Sequence, residues 1–462
     1  MNGVTTDPAA PTIRKPERGD ELELRVDALA FGGNGVARLK LGDRGYVLFV
    51  RGAVPGDLVR AVVTKRKRDY GEARTLEVLE RGPDRIDAVA DHAGAPWQIL
   101  PYARQLEVKQ QQVDEALRRL GRLDGFQLEP IVPATEQWRY RNKLEYSYGT
   151  APDGQLICGF HAAGSWEQID HIEDCLLASE RGNELRRLAL DALRAQNLGA
   201  YDRRSQIGFL RNLVVREGRR TGQEQVRLVT SPGEFDVDAF AAALGPVQSL
   251  IWTQAAGVAE TTQGGQDELI TGTPRIEEEL GGLRFALSSE AFFQTNTEMA
   301  EQLYAVAAEY AALKGFERVY DLCCGIGTIG LTLASRAAEV VGVEIVPPAV
   351  EDAAFNARVN EITNAHFIAG DVRVVLKNLI AEGVRPDVIV VDPPRAGLSK
   401  KVVARIAESN PKRIVYVSCN PTTLAPNAAQ LVEAGYKLVR VRPVDQFPQT
   451  PHIECVALLE RA

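Results

Sequence analysis

Apolar and polar positions follow different rhythms along this chain, and the places where one gives way to another mark its organisation. Glu21-Leu22-Glu23-Leu24-Arg25-Val26 alternates with period two, as a half-buried strand does. Residues 45–50 and 57–63 read as further strands, joined through Ala53-Val54-Pro55-Gly56-Asp57, and Phe31-Gly32-Gly33-Asn34-Gly35 is a glycine turn. Short strands punctuated by Gly and Pro predict a small β-barrel over residues 17–80, after a leader at 1–16 that reads as disordered. Between residues 102 and 123 the period lengthens to that of a helix, with Leu106, Val113, Leu117 and Leu120 on one side. Trp138-Arg139-Tyr140-Arg141-Asn142-Lys143 then opens a strand that runs on through Leu144-Glu145-Tyr146, and alternation places Arg139, Arg141 and Lys143 on one face. Gly159-Phe160-His161 and Leu210-Arg211-Asn212-Leu213-Val214-Val215-Arg216 continue the mixture. Residues 81–274 therefore read as a central α+β domain whose helix at 102–123 is free to pack on the C-terminal domain.

From about residue 275 the rhythm changes again. Phe292-Phe293-Gln294-Thr295-Asn296 precedes a helix at 298–313. Short runs rich in β-branched residues then alternate with helical stretches: Val340-Val341-Gly342-Val343, Val388-Ile389-Val390-Val391 and Ile414-Val415-Tyr416-Val417 are the clearest. That alternation predicts a parallel, doubly wound α/β sheet over residues 275–462. Ligands of such sheets bind outside the carboxyl ends of the strands. The residues at those ends are Asp321-Leu322-Cys323-Cys324-Gly325-Ile326-Gly327, Glu344, Asp371, Asp392-Pro393-Pro394-Arg395 and Ser418-Cys419-Asn420-Pro421.

Composition narrows the class without naming a function. A chain of 462 residues has ample length to bury a core. No apolar run reaches the length of a membrane span, and residues 1–16 lack the apolar core of a signal peptide. Six scattered cysteines, two of them adjacent at Cys323-Cys324, fit a reducing cytoplasm better than a disulfide framework. A monomer is expected. The net charge of −8 argues against a protein that coats nucleic acid non-specifically, but it leaves room for a local basic surface. Lys65-Arg66-Lys67-Arg68, with Tyr70 beside it, reads either as a solvated turn or as a phosphate-contacting patch with an aromatic platform. The row Arg139, Arg141, Lys143 likewise reads as a solvent-facing edge or as a face turned to RNA.

The strand-end residues point to a particular chemistry. Glu344 stands 23 residues after Asp321, where a carboxylate takes the hydroxyls of a ribose, and Asp371 is placed to meet an adenine amino group. The glycine turn lacks the Gly-x-Gly-x-x-Gly that brings backbone close to a pyrophosphate, so a nucleoside without phosphates fits better than the dinucleotide of a dehydrogenase-like domain. S-adenosylmethionine is such a ligand, with its methionine end near the 325–327 turn. Cys419 then acquires a purpose. Carbon 5 of a uracil is a poor nucleophile until a thiolate adds at carbon 6, and a base must later remove the carbon-5 proton. Cys419 supplies the thiol and Glu454, in His452-Ile453-Glu454, the base. Asp392 and Arg395 sit at a neighbouring strand end, where they would hold the pyrimidine or its phosphate. Taken singly, Cys419 reads as a small buried hydrophobe, Glu454 as a surface carboxylate and His452 as structural.

Taken together the motifs carry a resemblance. Asp321-x-Cys323-Cys324-Gly325-x-Gly327, Asp392-Pro393-Pro394-Arg395-x-Gly397, Ser418-Cys419-Asn420-Pro421 and His452-x-Glu454 resemble, in order, those of the RNA 5-methyluridine (uracil-C5) methyltransferases. Phe31-Gly32-Gly33-x-Gly35, Val54-Pro55-Gly56-Asp57 and the basic run resemble a TRAM domain, an RNA-binding barrel. The similarity spans residues 17–462. It implies a class I, Rossmann-like methyltransferase sheet after a TRAM/OB-like barrel, and transfer from S-adenosylmethionine to carbon 5 of a uridine in rRNA or tRNA, the TRAM-like segment leaning towards 23S rRNA. It also implies Cys419 as nucleophile, Glu454 as base, and Gln294, Cys323, Glu344 and Asp392 as cofactor contacts. Many members hold an iron–sulfur cluster on three clustered cysteines and a distant fourth. Here residues 90–98 carry none, Cys175 looks like the orphaned fourth, and no cluster is expected, the segment being held instead by packing of Trp97, Ile99, Leu100 and Tyr102. Two enzyme rivals fit less well: a 5-methylcytosine enzyme needs a cysteine after the proline where Pro394 stands, and an exocyclic-amine enzyme an aromatic where Arg395 stands. A rival of another class is a non-catalytic RNA-binding factor on an old methyltransferase core.

Overall fold

The computed structural model describes residues 14–462 apart from 42–43, 163, 166, 258–261 and 263, so most of the expected leader lies outside the described residues. The chain divides into two compact units, residues 1–90 with 96–108, and residues 91–95 with 109–462.

The first unit is built on a six-stranded sheet in the order Glu21–Arg25, Leu58–Arg66, Tyr70–Glu80, Arg44–Arg51, Gly35–Leu41, Ala28–Leu29. Its inward positions, Leu24, Val26, Tyr46, Leu48, Val50, Val59 and Ala61, form one core, as period two requires. The Val54-Pro55-Gly56-Asp57 turn closes this unit through a buried carboxylate. Asp57 accepts from the N–H groups of Val54 and Gly82 (both 2.8 Å) and from Nη2 of Arg85 (2.8 Å). Burial pushes its pKa up, but Arg85 and the two N–H groups outweigh that and hold it below the usual carboxylate range. Gly56 has φ 88°, and a Cβ there would lie 2.6 Å from Cδ of Pro83, so only glycine fits. Trp97 and Leu100 are buried with Val54 and Val108 in a second small core, with Ile99 partly buried against it. Tyr102 is only half-buried.

The second unit carries two large sheets. One has seven strands, ordered Ile169–His171, Leu156–His161, Lys143–Thr150, Leu210–Glu217, Glu224–Thr230, Ser249–Gln254, Gln266–Gly272. Helices Glu180–Ala195 and Val237–Leu244 pack on one of its faces, through Leu185, Ala189, Leu193, Phe240 and Leu244. The first helix starts cleanly because Ser179 accepts from the N–H of Gly182.

The other sheet has eight strands, ordered Ala365–Ala369, Glu339–Glu344, Arg318–Leu322, Val388–Val391, Arg413–Ser418, Glu454–Arg461, Tyr436–Val444, Gln127–Leu128. The strands from Ala365–Ala369 to Arg413–Ser418 run parallel, as predicted, with helices between them. The sheet is not parallel throughout: Glu454–Arg461 enters antiparallel between Arg413–Ser418 and Tyr436–Val444. Alternate residues of the parallel strands serve two different cores. Val388, Val390, Val415 and Val417 pack on helix Thr297–Ala311, whereas Ile389, Val391, Ile414 and Tyr416 pack under helices Lys400–Ser409 and Pro421–Glu433. Burial on both faces explains why these strands read as unbroken apolar runs.

Helix Tyr102–Glu115 departs from the expected apolar stripe. It passes into a π-helical turn, Ala116–Leu120, which shifts the periodicity. Val113 and Leu117 are buried under the eight-stranded sheet with Leu424 and Ala428, but Leu120 is 59% exposed and Leu106 only half-buried. The buried side of the helix carries Gln105, Lys109 and Gln112 instead, polar residues that a hydrophobic period does not reveal.

Candidate active site

The carboxyl ends of the parallel strands converge on one edge, and the antiparallel insertion decides what meets there. Ser418, the last residue of its strand, pairs with Cys455, the second residue of the incoming one. One step further on, Cys419 leaves the sheet beside Glu454. A parallel strand in that place would have delivered its first residue to the opposite edge. Sγ of Cys455 also lies 3.6 Å from the carbonyl of Ser418, which ties the two strands where the thiol emerges.

The residues expected to face a cofactor line the neighbouring strand ends. The carboxylate of Glu344 accepts from the N–H groups of Gly325 (3.0 Å), Ile345 (2.8 Å) and Val346 (3.0 Å). Cys323, Gly325 and Gly327 all have positive φ (62°, 54° and 82°), so the chain turns sharply there, and the space where a Cβ of Gly325 would stand is open. Asp371 is exposed and caps helix Val372–Ala381, accepting from the N–H of Arg373 at 2.7 Å. Gln294 is buried on a segment fixed by Asn142, whose Nδ2 donates to the Gln294 carbonyl (2.9 Å) and whose N–H donates to Thr295 (2.8 Å).

Acids crowd the centre. Asp321 is fully buried; one oxygen accepts from the N–H of Gly330 (2.7 Å) and the other has no hydrogen-bond partner among the described residues. Burial pushes its pKa up to about 7, with Asp392 and Glu344 adding to the rise. Asp392 is pushed to about 7 by burial alone. Glu454, 4% exposed, is raised well above the ordinary range by burial and then by Asp392, against a smaller opposing pull from Arg395. The half-buried thiol of Cys419 is raised to about 11 by burial, Glu454 and Asp392, again opposed by Arg395. Burial thus favours the protonated, neutral forms of all four groups, and a cation among them would favour their ionised forms. The charge of a sulfonium, the orphaned Asp321 oxygen and the open turn at Gly325 all suit S-adenosylmethionine.

The residues assigned to RNA fall in three places. Arg395 is exposed at this edge; its Nη2 donates to Nδ1 of His452 (3.3 Å) and its carbonyl accepts from Nδ2 of Asn420 (3.0 Å), so it bridges the loops flanking Cys419. Lys65, Arg66, Lys67 and Arg68 lie exposed where strand Leu58–Arg66 turns into Tyr70–Glu80, with Lys65 paired to Glu72 (2.9 Å) and Arg66 to Glu17 (3.6 Å). The row Arg139, Arg141, Lys143 does not form. The strand begins only at Lys143, and Arg139 has φ 54°, which breaks the alternation that would have aligned the three. Arg139 is tied to Asp174 (2.8 Å) and to the carbonyl of Ala178 (3.0 Å), and Lys143 to Glu145 (2.7 Å). Arg141 instead lies with its guanidinium 5.7 Å from the ring centre of Phe447.

Other residues at the site were not singled out from the sequence. Tyr304 sits buried on helix Thr297–Ala311, its hydroxyl 3.1 Å from that of Thr328, within the field of Asp392, Asp321 and Glu454. Lys109 and Asp445 form a fully buried ion pair at 2.6 Å, and Lys109 also donates to the carbonyl of Phe447 (3.0 Å), clamping the loop that leads to His452 and Glu454. His92 places Nε2 3.3 Å from Sγ of Cys175 in a buried pair. No sequence period links such partners across the chain, and of these residues the sequence singles out only Cys175.

Known proteins resemble this chain over nearly all of its length. The tRNA (Uracil-5-)-methyltransferase family model matches residues 266–462, and the TRAM domain model residues 15–76. An uncharacterized RNA methyltransferase of Halalkalibacterium halodurans is 38% identical over 452 residues, covering 96% of this chain and 97% of its own length. One from Gloeobacter violaceus is 39% identical over 458 residues, covering 96% and 97%. The crystal structure of the Pyrococcus abyssi tRNA (uracil-54, C5)-methyltransferase in complex with S-adenosyl-L-homocysteine superposes with a TM-score of 0.77 at 27% identity, over 95% of this chain and 99% of that one. With a TRAM domain at its start and the class I sheet behind its site, the chain belongs to the S-adenosylmethionine-dependent RNA uracil-C5 methyltransferases.

Proposed function

We propose that this enzyme methylates carbon 5 of one specific uridine in 23S rRNA through a covalent adduct between Cys419 and carbon 6 of the base. The observation that supports the adduct is the register of Ser418 against Cys455, which leaves Cys419 and Glu454 side by side, both within the field of Asp392. In this reading Cys419 gives its proton to water and adds to carbon 6, making carbon 5 nucleophilic. The bound cofactor supplies an electrophilic methyl group on a positively charged sulfur. Glu454 then takes the carbon-5 proton, the double bond re-forms and the Cys419 sulfur leaves. A raised pKa makes Glu454 the stronger base once it is ionised. Gln294, Cys323, Gly325, Gly327, Glu344 and Asp371 would cradle the cofactor, with Asp392 beside its charge and Arg395 on the RNA side. Barrel residues Lys65, Arg66, Lys67 and Arg68 would hold RNA phosphates.

A second reading, a uridine in tRNA, is favoured by the Pyrococcus abyssi enzyme, which is named for tRNA uracil-54 and aligns over 95% of this chain. Mapping 5-methyluridine in rRNA and tRNA from cells lacking the gene separates the two. For the chemistry, Cys419→Ala should abolish methylation while leaving cofactor affinity within a few-fold, because the thiol acts only after binding. Turnover above a few per cent in that variant would rule out Cys419 as an obligatory nucleophile.

A further inference from the structure

We propose that His452 is a further catalytic residue, its Nε2–H donating a hydrogen bond to O4 of the uracil as Cys419 adds at carbon 6. The inference rests on the uridine-C5 reading above and adds to it the group that stabilises the adduct.

The tautomer is set by the neighbours. Nδ1 of His452 lies 3.3 Å from Nη2 of Arg395. A guanidinium only donates, so Nδ1 accepts and the ring proton sits on Nε2. Burial, followed by the charges of Arg395, Arg141 and Lys109, depresses the pKa of the ring to about 4, so the imidazole is neutral at working pH. Among the described residues no protein group hydrogen-bonds Nε2, and the residue is only half-buried. An N–H donor is therefore left open at the site.

That donor is held rather than mobile. The ring packs edge-on against Phe447, with centroids 5.9 Å apart, and the His452 N–H donates to Oγ1 of Thr450 (3.3 Å). The preceding carbonyls are pinned in turn: Phe447 by Lys109 (3.0 Å) and Thr450 (2.8 Å), Pro448 by Tyr140 (3.1 Å) and Gln446 by Asn296 (3.0 Å). A loop clamped at successive carbonyls presents a donor without reorganisation, the condition under which such a donor acts on developing charge. It also stands two residues before Glu454 and on the loop that Arg395 links to Asn420, next to Cys419.

The electron count identifies the acceptor. As the sulfur–carbon 6 bond forms, the pair of the carbon 5–carbon 6 double bond moves into the carbon 4–carbon 5 bond and the carbonyl pair moves onto O4. The enolate charge is shared between O4 and carbon 5, with the larger part on O4, the one of the two that accepts a hydrogen bond. Cys455 Sγ is turned to the Ser418 carbonyl and Glu454 is needed at carbon 5, whereas the neutral Nε2–H is uncommitted.

The test uses the full-length enzyme and RNA carrying 5-fluorouridine, in which the adduct persists because fluorine cannot be removed as a proton. Adduct formation is timed at saturating RNA and cofactor, beside direct measurement of RNA affinity. His452→Leu should slow adduct formation about 100-fold, the loss typical of one oxyanion donor, with RNA affinity within a few-fold. His452→Gln keeps an amide N–H at similar reach and should retain adduct formation within about ten-fold of the wild type. A wild-type rate in His452→Leu overturns the proposal, as does His452→Gln falling as far as His452→Leu, which would reduce the residue to ring packing on Phe447. Absence of any adduct in the wild-type protein would instead sink the uridine-C5 reading itself.

Discussion

In the proposed mechanism Glu454 and Cys419 act at different times, and substitution should separate them. Glu454→Gln removes the base but not the nucleophile, so the adduct still forms and accepts the methyl group while release is slowed. A covalent enzyme–RNA species should accumulate on unmodified RNA, detected as a band that survives denaturing electrophoresis. An inactive variant with no such band would mean that Glu454 acts before methyl transfer. Asp321 and Asp392 make a pH prediction. Both are pushed up to about 7, so near neutrality the empty site still holds protons that the unfolded chain has released by about pH 4. For these two acids the folded state is thus favoured at low pH, and that contribution is lost as pH rises towards 7. A bound cation lowers both pKa values, so its binding expels protons and tightens as pH rises through about 7. The preference for S-adenosylmethionine over the uncharged sulfur of S-adenosylhomocysteine should therefore grow between about pH 6 and 8, measured by calorimetry. A ratio independent of pH would mean that the cofactor's sulfur does not lie near these acids.

Among the elements, the strand Glu454–Arg461 and helix Tyr102–Glu115 shape the site most. The strand's antiparallel entry turns two residues 35 positions apart in the chain into neighbours. The helix contributes Lys109, whose ammonium is fully buried against Asp445. Desolvation lowers the pKa of that lysine, and Asp445 opposes the fall. A buried pair of this kind stabilises little compared with an apolar pair of the same volume, but breaking it strands a charge. Lys109→Met should destabilise the protein by about 3–5 kcal/mol in urea unfolding, and Lys109→Met with Asp445→Leu should recover part of the loss. Because Lys109 also holds the Phe447 carbonyl, the double variant should remain folded yet turn over slowly. If the single variant unfolds like the wild type, the pair is not the strut described.

For the whole molecule, the proposed reaction requires RNA to reach the Cys419 thiol, and the barrel adds positive charge of its own. Neutralising Lys65, Arg66, Lys67 and Arg68 together should weaken RNA binding and flatten its salt dependence, each lost phosphate contact lowering the log–log slope by roughly 0.7–0.9. Turnover at saturating RNA should hardly change. An unchanged slope would leave the run as a solvated turn, its Lys65 and Arg66 serving Glu72 and Glu17. The division between what the chain announces and what folding adds tracks the range of the interactions. The alternation at Glu21–Val26, apolar runs such as Val388-Ile389-Val390-Val391, the glycine turn at Gly325 and the acids that end each strand are local. The barrel, the α/β sheet and the strand-end residues are therefore determined by residues a few positions apart. Three things are not local. The π turn at Ala116–Leu120 exposes Leu120, and the positive φ of Arg139 ends a row that alternation had drawn too long, because backbone conformation there answers to packing and to Asp174 rather than to propensity. The pairings Lys109–Asp445 and His92–Cys175 join residues that no spacing connects. The protonation of Cys419, Asp392 and Glu454 was decided only when the fold withdrew all three from water together, since a pKa reports the surroundings of a group and not its identity.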